Sequence, residues 1–227
     1  MKNITAKYVI LDTETCGLNP PPAPASGVVQ VAWAEICPDT LEVLSSNSSL
    51  CDPEGPIHPE ASKIHGYSDA DVAGKPLLQD VLKLEGPTVL ICHNVAYDRK
   101  FVARYIENCV GEICTLQLAR HYVKDSANHK LATLAEHFGL DTGKAHDALG
   151  DVHTTTQLLR KLVALTGRSL PQMVAAGIKA KNFHTMPFGK HKGKLLMNLP
   201  IAYVNWLLDQ EIDQDLRYSL EQTLKVR

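Results

Sequence analysis

The chain has 227 residues, 44% of them hydrophobic, and its 23 lysine and arginine residues nearly balance 25 aspartate and glutamate residues. A chain of this length and composition can bury one sizeable core plus a small appendage. No run approaches the roughly 18 apolar residues of a membrane span, and residues 1–5 lack the apolar stretch of a signal peptide, so we expect a cytoplasmic protein without membrane contact.

Six cysteines are present, and none of them forms a C-x-x-C pair. Several lie in strand-like apolar runs, as buried thiols commonly do. Without a secretion signal the even number does not imply disulfides, and a reducing compartment is the better interpretation. Neither the cysteines nor the ten histidines show the spacing of zinc ligands, which argues against a zinc site.

Apolar runs and turn residues predict the order of strands and helices along the chain. We expect strands at 7–12, 28–37, 41–50, 88–92 and near 112–116, and helices within 59–83 and at 97–108, 116–122, 130–138 and 147–165. The early strands are joined by short loops and favour an antiparallel meander, whereas the later alternation favours parallel additions. The pattern predicts an α/β domain with a mixed five-stranded sheet flanked by helices.

Two carboxylates follow the first predicted strand directly. Asp12 and Glu14 come after the apolar run Tyr8–Leu11. Because side chains alternate along a strand, residues two apart point to the same side, and both carboxylates would aim at one point in space. A pair without a counter-charge is costly there, and a hard divalent cation such as Mg²⁺ removes that cost. The alternative is a polar strand end facing solvent.

Further acidic residues and one histidine follow later predicted elements. Asp98 lies at the start of a predicted helix, and His146 and Asp151 open the last long one. Metal-assisted hydrolysis of a phosphodiester needs several carboxylates from separate elements and a base for the water's proton, which an imidazole can supply. Asp98 and His146 could instead be ordinary residues at helix starts. Asp147 competes with Asp151 as a ligand.

These motifs resemble those of the DEDDh 3′→5′ exonucleases, relatives of the epsilon proofreading subunit of DNA polymerase III, and most closely the bacterial exonuclease X group. The residues that carry the resemblance are Asp12 through Leu18, His93 through Phe101 and the His146-x4-Asp151 block, with softer matches at Pro56 through Gly66 and Cys114 through Arg120. The matches occur in family order and cover residues 7 to 165, and the end of the chain also looks like that of exonuclease X.

The resemblance implies a ribonuclease-H-like fold and a site for two Mg²⁺ ions, with Mn²⁺ as an alternative. Asp12 would bridge both ions, and Glu14, Asp98 and Asp151 would complete their ligand shells. His146 would orient and deprotonate the attacking water. Because the four-residue gap from His146 matches the family at Asp151, the resemblance implies that Asp147 caps the helix and is not a ligand.

The resemblance also implies contacts with the terminal nucleotide. Thr15 and His65 match positions that contact the bound 3′ end. Cys16 and Gly17 follow the metal-binding strand, where backbone N–H groups and a small residue could approach the nucleotide closely. Asn94 matches a motif position and would physically be a turn residue that caps the next helix. Packing remains the alternative for Cys16, and a core or surface histidine remains the alternative for His65.

One departure from the family lies in the second predicted strand. Many relatives carry a glutamate where this chain has Gln30. That glutamate is not a primary metal ligand, so we expect Gln30 to leave catalysis intact and to alter contacts with the substrate end.

Positive charge is concentrated at the end of the chain. Residues 168–227 contain 9 lysine and arginine residues and 5 aspartate and glutamate residues, so they carry +4 and the rest of the chain carries −6. Basic residues concentrate in Lys181 and the segment Phe188–Lys194, and no acidic residue lies between 181 and 194. The lysines, spaced by glycine, suit electrostatic contact with a phosphate backbone, and the flanking Phe183 and Phe188 suit base stacking. A solvated turn between two strands is an equal alternative. Trp206, in a predicted helix, is expected to be core.

We therefore expect an exonuclease domain over residues 1–167, a connecting helix and linker at 168–180, and a small basic module at 181–227 with a second helix near Gln214–Leu224. The resemblance implies an exodeoxyribonuclease that releases 5′-mononucleotides from DNA 3′ ends, in DNA repair or processing. An exoribonuclease is the main alternative, because one sequence does not show how the pocket treats a 2′-hydroxyl. A catalytically silent nucleic-acid-binding module is a third possibility, although all four carboxylates and the histidine are present.

Overall fold

The computed structural model describes residues 6–177, 183–210, 212 and 214–227. The chain divides into two compact units, Met1–Ile178 and Lys179–Arg227. The helix expected to connect them, here α8 (Leu170–Ala176), belongs to the first unit, because Leu170 and Met173 are buried in its core. The expected start of the basic module near residue 181, including Lys181, lies outside the described residues.

The first unit is built on a five-stranded sheet. Its strands are β1 (Lys7–Thr15), β2 (Val28–Ile36), β3 (Val43–Leu50), β4 (Leu84–Cys92) and β5 (Ile106–Cys114), in the spatial order β3-β2-β1-β4-β5. The pairs β1–β2 and β2–β3 are antiparallel, whereas β1–β4 and β4–β5 are parallel. The predicted mixed sheet, with a meander followed by parallel additions, is confirmed.

Helices pack on both faces of this sheet. Besides α8, they are α1 (Pro59–His65), α2 (Asp69–Val72), α3 (Leu78–Val81), α4 (Val95–Val102), α5 (Thr115–Tyr122), α6 (Leu131–Phe138) and α7 (Ala148–Thr166). The helical stretch expected within 59–83 is three short helices. Its first break lies at Gly66, which adopts a left-handed conformation that glycine accepts without strain.

The prediction was wrong around β5. The helix expected at 97–108 ends at Val102, a 3₁₀ turn covers Ala103–Tyr105, and the strand begins at Ile106 instead of near 112. Because β5 is an edge strand, four successive residues from Glu107 are exposed and show no alternation of apolar and polar side chains. The sequence signal for a half-buried strand is therefore missing.

Strand β1 separates two hydrophobic clusters. Tyr8 and Ile10 point into the cluster that contains α7, whereas Val9 and Leu11 point into the cluster that contains Phe101 of α4. A strand with both faces buried can end in polar residues only where the covering layers stop. Asp12 and Glu14 point to the same side of β1 as Ile10, and they therefore lie at the edge of the core.

The second unit has its own small core. Its helices are α9 (Ile201–Leu208) and α10 (Gln214–Val226), and its buried side chains include Met186, Leu196, Leu199, Val204, Leu207, Leu216 and Leu220. The expectation that Trp206 is core was wrong, because 53% of this residue is exposed. A short helix buries only a narrow stripe, and here the stripe runs through Val204 and Leu207.

Candidate active site

The carboxylates of β1 lie on one side of the strand, as the alternation requires. Asp12 pairs with Ala32 of β2 in the sheet register, and Glu14 pairs with Gln30. Glu14 is only 9% exposed, and Asp12 is half-buried. A shift in register after Glu14 ends the regular pairing with β2. The two side chains therefore stand where the sheet opens.

Asp98 reaches β1 from helix α4. It is buried, and its Oδ1 accepts hydrogen bonds from the Thr13 amide at 3.1 Å and the Thr13 hydroxyl at 3.0 Å. Thr13 stands between Asp12 and Glu14 in the sequence, so this contact fixes the carboxylate of Asp98 beside that pair. The predicted proximity of Asp98 to this pair thus depends on two hydrogen bonds from Thr13, one from its backbone amide and one from its hydroxyl.

The last carboxylate and the histidine lie at the start of helix α7 and just before it. Asp147 is its N-cap, accepting a hydrogen bond from the Gly150 amide at 3.2 Å, as expected. Asp151 follows in the first turn, and the exposed His146 immediately precedes the cap. Ligand atoms of Glu14, His146 and Asp151 all lie within 4.8 Å of one another, a group able to hold a metal ion.

Two glycines allow the segment before α7 to lie against the helix. A Cβ on Gly150 would lie 2.1 Å from the carbonyl oxygen of Lys144, and a Cβ on Gly143 would lie 2.3 Å from the Cα atom of Gly150. Larger residues would push the two backbones apart. His146 leaves this close contact with φ of 57°, a left-handed conformation that sets the direction of its side chain.

Burial raises the pKa values of all four carboxylates, and neighbouring charges add to it at Asp12 and Glu14. Burial, followed by the charges of Asp98, Asp151 and Glu14, raises the pKa of Asp12 well above its ordinary value. Burial and the neighbouring acids raise the pKa of Glu14 to about 8. Burial raises the pKa of Asp98 to about 7 despite the hydrogen bonds from Thr13, and burial also raises the pKa of Asp151. Such a donor set fits a divalent cation with oxygen ligands, which would neutralise it.

The segment after β1 is organised by Tyr97, a residue of the His93–Phe101 motif to which sequence analysis assigned no role. Thr15 Oγ1 lies 2.6 Å from the hydroxyl of Tyr97. Both hydroxyl oxygens also lie within hydrogen-bond distance of the carbonyl oxygen of Gly17, at 2.9 Å from Thr15 and 3.1 Å from Tyr97. Because each hydroxyl has one proton, one of them donates to Gly17 while the other donates to its neighbouring hydroxyl. The amide of Cys16 donates to Gly27, so this N–H group is engaged within the protein, and the Cys16 side chain packs against a small apolar cluster.

His65 and Asn94 differ in their surroundings. His65 is 8% exposed, its Nδ1 accepts from the Tyr67 amide at 3.1 Å, and its buried Nε2 has no partner within the described residues. Burial lowers the pKa of His65, so the ring is neutral near pH 7. Asn94 lies in the turn before α4 and is its N-cap residue, as expected, with φ of 97°, and its side chain makes no capping hydrogen bond.

Gln30 points to the start of α7. Its Nε2 donates to Oδ2 of Asp147 at 3.2 Å, and its Oε1 accepts from the Ala148 amide at 2.9 Å. The Tyr67 hydroxyl donates to the same Oδ2 at 3.3 Å. The side-chain amide of Gln30 offers both a donor for the aspartate and an acceptor for the backbone amide, which an ionised carboxylate could not do. Gln30 therefore ties β2 to the segment that carries His146 and Asp151, a role the sequence did not suggest.

The raised pKa values predict that the metal-free protein loses stability as pH rises. An unfolded glutamate loses its proton near pH 4.5, whereas folded Glu14 keeps its proton until about pH 8. Because the folded state binds more protons in between, the free energy of unfolding should fall by about 1.4 kcal/mol per pH unit for each such carboxyl. Urea titrations in EDTA from pH 5 to 8 measure this slope.

Glu14→Gln should flatten this dependence, and Glu85→Gln, at an exposed position, should not. Mg²⁺ should stabilise the wild type more at pH 8 than at pH 5. Equal slopes for the wild type and Glu14→Gln would contradict the arrangement.

We expect Gln30→Glu to destabilise the protein by about 1–3 kcal/mol, because it sets a second buried carboxylate against Asp147. Asp147→Asn in the same chain should recover part of the loss, since the asparagine can donate to Glu at position 30. Urea denaturation of the wild type, both single variants and the double variant measures the coupling energy. Additive effects of the two substitutions would show that this contact does not form.

Comparisons with known proteins agree with this geometry. Residues 9–159 match the family model described as "Exonuclease", and residues 178–215 match one described as "Putative quorum-sensing-regulated virulence factor". Exodeoxyribonuclease 10 of Escherichia coli K12 is 30% identical and aligns over 95% of this chain and 98% of its own length. DNA polymerase III subunit epsilon of Aquifex aeolicus is 26% identical over 69% of this chain and 80% of its own length.

A solved structure of exonuclease X in complex with 5′ overhanging duplex DNA is similar, with a TM-score of 0.62 and 28% identity. The match covers 74% of this chain and 98% of the exonuclease X chain. Within the described ranges, no helix is long and apolar enough to cross a bilayer. The resemblance to the epsilon subunit and exonuclease X is thus confirmed, and the chain belongs to the exonuclease family.

Proposed function

We propose that the chain is a metal-dependent 3′→5′ exodeoxyribonuclease that releases 5′-mononucleotides from DNA. The observation that carries the proposal is the convergence of Asp12, Glu14, Asp98 and Asp151 from three separate elements at one end of β1, with His146 beside them. Similarity to exodeoxyribonuclease 10 and to the DNA-bound exonuclease X supports DNA as the substrate. Similarity to DNA polymerase III subunit epsilon supports the 3′→5′ direction.

The four carboxylates would hold two divalent cations, Mg²⁺ or Mn²⁺, because both prefer oxygen ligands. Bound there, the ions would lower the pKa of a coordinated water and stabilise the charge of the leaving oxygen. Asp98 contributes a carboxylate that two hydrogen bonds from Thr13 already hold without substrate. The site is therefore set before the DNA arrives, as efficient electrostatic catalysis requires.

His146 would take the proton of the attacking water. The His146 ring is exposed, and its ligand atom lies within 4.8 Å of those of Glu14 and Asp151. The ring can therefore take the proton of a water held beside these carboxylates and release that proton to solvent. Gln30 and Asp147 act on this step only through position, because they fix the start of α7.

Thr15 and His65 would contact the terminal nucleotide. The unpartnered Nε2 of His65 is a buried polar atom that a substrate oxygen or phosphate can satisfy. Tyr97 holds Thr15 and Gly17 in place through paired hydrogen bonds, so the segment after β1 presents a fixed surface.

A matched degradation assay tests the proposal. DNA and RNA strands of the same sequence, each labelled at the 5′ end, are incubated with the protein and Mg²⁺. We expect a descending ladder on DNA and none with Asp12→Ala, which removes a ligand and relieves repulsion without unfolding the chain. A ladder on RNA alone would establish the exoribonuclease instead. No ladder on either strand, in Mg²⁺ or Mn²⁺, would favour a silent module.

His146→Ala should lower the rate of DNA hydrolysis by about 10²–10⁴-fold, the usual contribution of a general base. The variant should keep its affinity for Mg²⁺, measured by calorimetry, because the carboxylates remain. His121→Ala, an exposed histidine at the end of α5, is the control and should leave both quantities unchanged. If His146→Ala lost Mg²⁺ binding, the histidine would be a ligand and not the base.

A further inference from the structure

The second unit segregates its charges along the sequence. Residues 183–208 contain Lys190, Lys192 and Lys194 and no aspartate or glutamate, whereas residues 209–227 contain five acids. All three lysines are exposed, and none forms an ion pair with any residue that the structure describes. These ammonium groups are therefore free for a polyanion, and no acid within residues 183–208 offsets them.

A closed loop holds the three lysines together. The Met186 amide donates to the Lys194 carbonyl at 2.8 Å, and the Gly193 amide donates back to the Met186 carbonyl at 2.8 Å. Gly189 and Gly193 adopt left-handed conformations with φ of 68° and 82°, which let the chain turn tightly. Residues 186–194, which we call the lysine loop, thus present their charges from a fixed backbone and lose little entropy on binding.

Two stacked aromatic rings, the half-buried Tyr203 and the exposed Trp206, lie beside the lysine loop. Tyr203 and Trp206, three residues apart on α9, stack with their centroids 5.6 Å apart and their planes 29° from parallel. The His191 ring meets the Tyr203 ring edge-on at 4.5 Å, and Lys190 Nζ lies 5.2 Å from the Tyr203 centroid. With 53% of Trp206 exposed, the indole extends this stack to the surface, next to a cation.

We propose that the lysine loop together with Tyr203 and Trp206 forms a second nucleic-acid site, which binds single-stranded DNA separately from the carboxylate centre. Lysines spaced along a loop match the repeating phosphates of a strand, and an exposed indole matches the flat face of an unstacked base. Single strands fit because a base within a duplex is already covered on both faces. The choice of DNA over RNA rests on the proposed function; the binding site itself does not.

A protein partner is the competing occupant, because Met197 and Ile201 are also exposed near these elements. The charge favours nucleic acid. A protein interface typically excludes lysine from its centre, whereas here Lys190 lies against the aromatic stack itself. Combined lysines and stacked rings are the composition of sequence-independent single-strand binders.

The test measures binding without hydrolysis. The full-length protein in EDTA is titrated against a fluorescent 20-nucleotide oligothymidine and against a blunt duplex, by anisotropy. Trp206→Ala should weaken single-strand binding by about 5- to 100-fold, the usual effect of losing one base stack, and leave duplex binding unchanged. Tyr218→Ala, an exposed aromatic on α10 outside the stack, is the matched control and should bind as wild type. Because both side chains are exposed, neither variant should shift the melting temperature by more than about 2 °C.

The lysines are tested through salt dependence. Changing Lys190, Lys192 and Lys194 together to glutamine should make the plot of the logarithm of the association constant against the logarithm of the salt concentration less steep. For the single strand, the magnitude of this negative slope should fall by about 2. Lys225→Gln, on α10, should leave this slope unchanged. If Trp206→Ala and the triple variant both bind the single strand as the wild type does, the site does not bind nucleic acid. A protein partner then becomes the better interpretation of this surface.

The same variants separate this proposal from the proposed function. With Mg²⁺, an inactive wild type whose single-strand binding still depends on Trp206 would reject the nuclease and keep the binding site. An active wild type whose binding ignores Trp206 would reject the binding site and keep the nuclease.

Discussion

Mutual repulsion among buried carboxylates at the end of β1 is the constraint on which the site depends. Asp12, Glu14, Asp98 and Asp151 are brought together by the fold although each raises the pKa of its neighbours or has its own pKa raised by burial. Such an arrangement costs stability unless a cation neutralises it. Because the fold brings several carboxylates together at this cost in stability, the site is suited to bind metal ions.

The scaffold around these carboxylates fixes them from several directions. Thr13 fixes Asp98, while Gln30 and Tyr67 fix Asp147 at the start of α7. The contact between Gly143 and Gly150 seats the segment that ends at His146. These supports are neutral amides, hydroxyls and backbone atoms, which add no charge to a region that is already strongly negative. The resulting geometry is independent of the ions that we propose it to hold.

The two units carry opposite electrostatic characters. The exonuclease fold concentrates negative charge where cations are needed to admit a phosphate. The second unit places lysines, the half-buried Tyr203 and the exposed Trp206 on one loop and one helix, without acids in that segment. Under the two proposals, DNA would be repelled by the carboxylate cluster in the absence of metal and attracted by the lysine loop. The second unit would then supply affinity for DNA that the carboxylate cluster alone does not.

The sequence by itself determined the central strands, the spacing of Asp12 and Glu14, and the capping role of Asp147, because alternation and helix caps are properties of neighbouring residues. Family motifs identified Asp98, His146 and Asp151. Only the tertiary structure decided what Gln30 and Tyr97 do, because their partners lie 117 and 82 residues away along the chain. It also decided the exposure of Trp206, since helical spacing fixes which residues share a face but not which face meets the core.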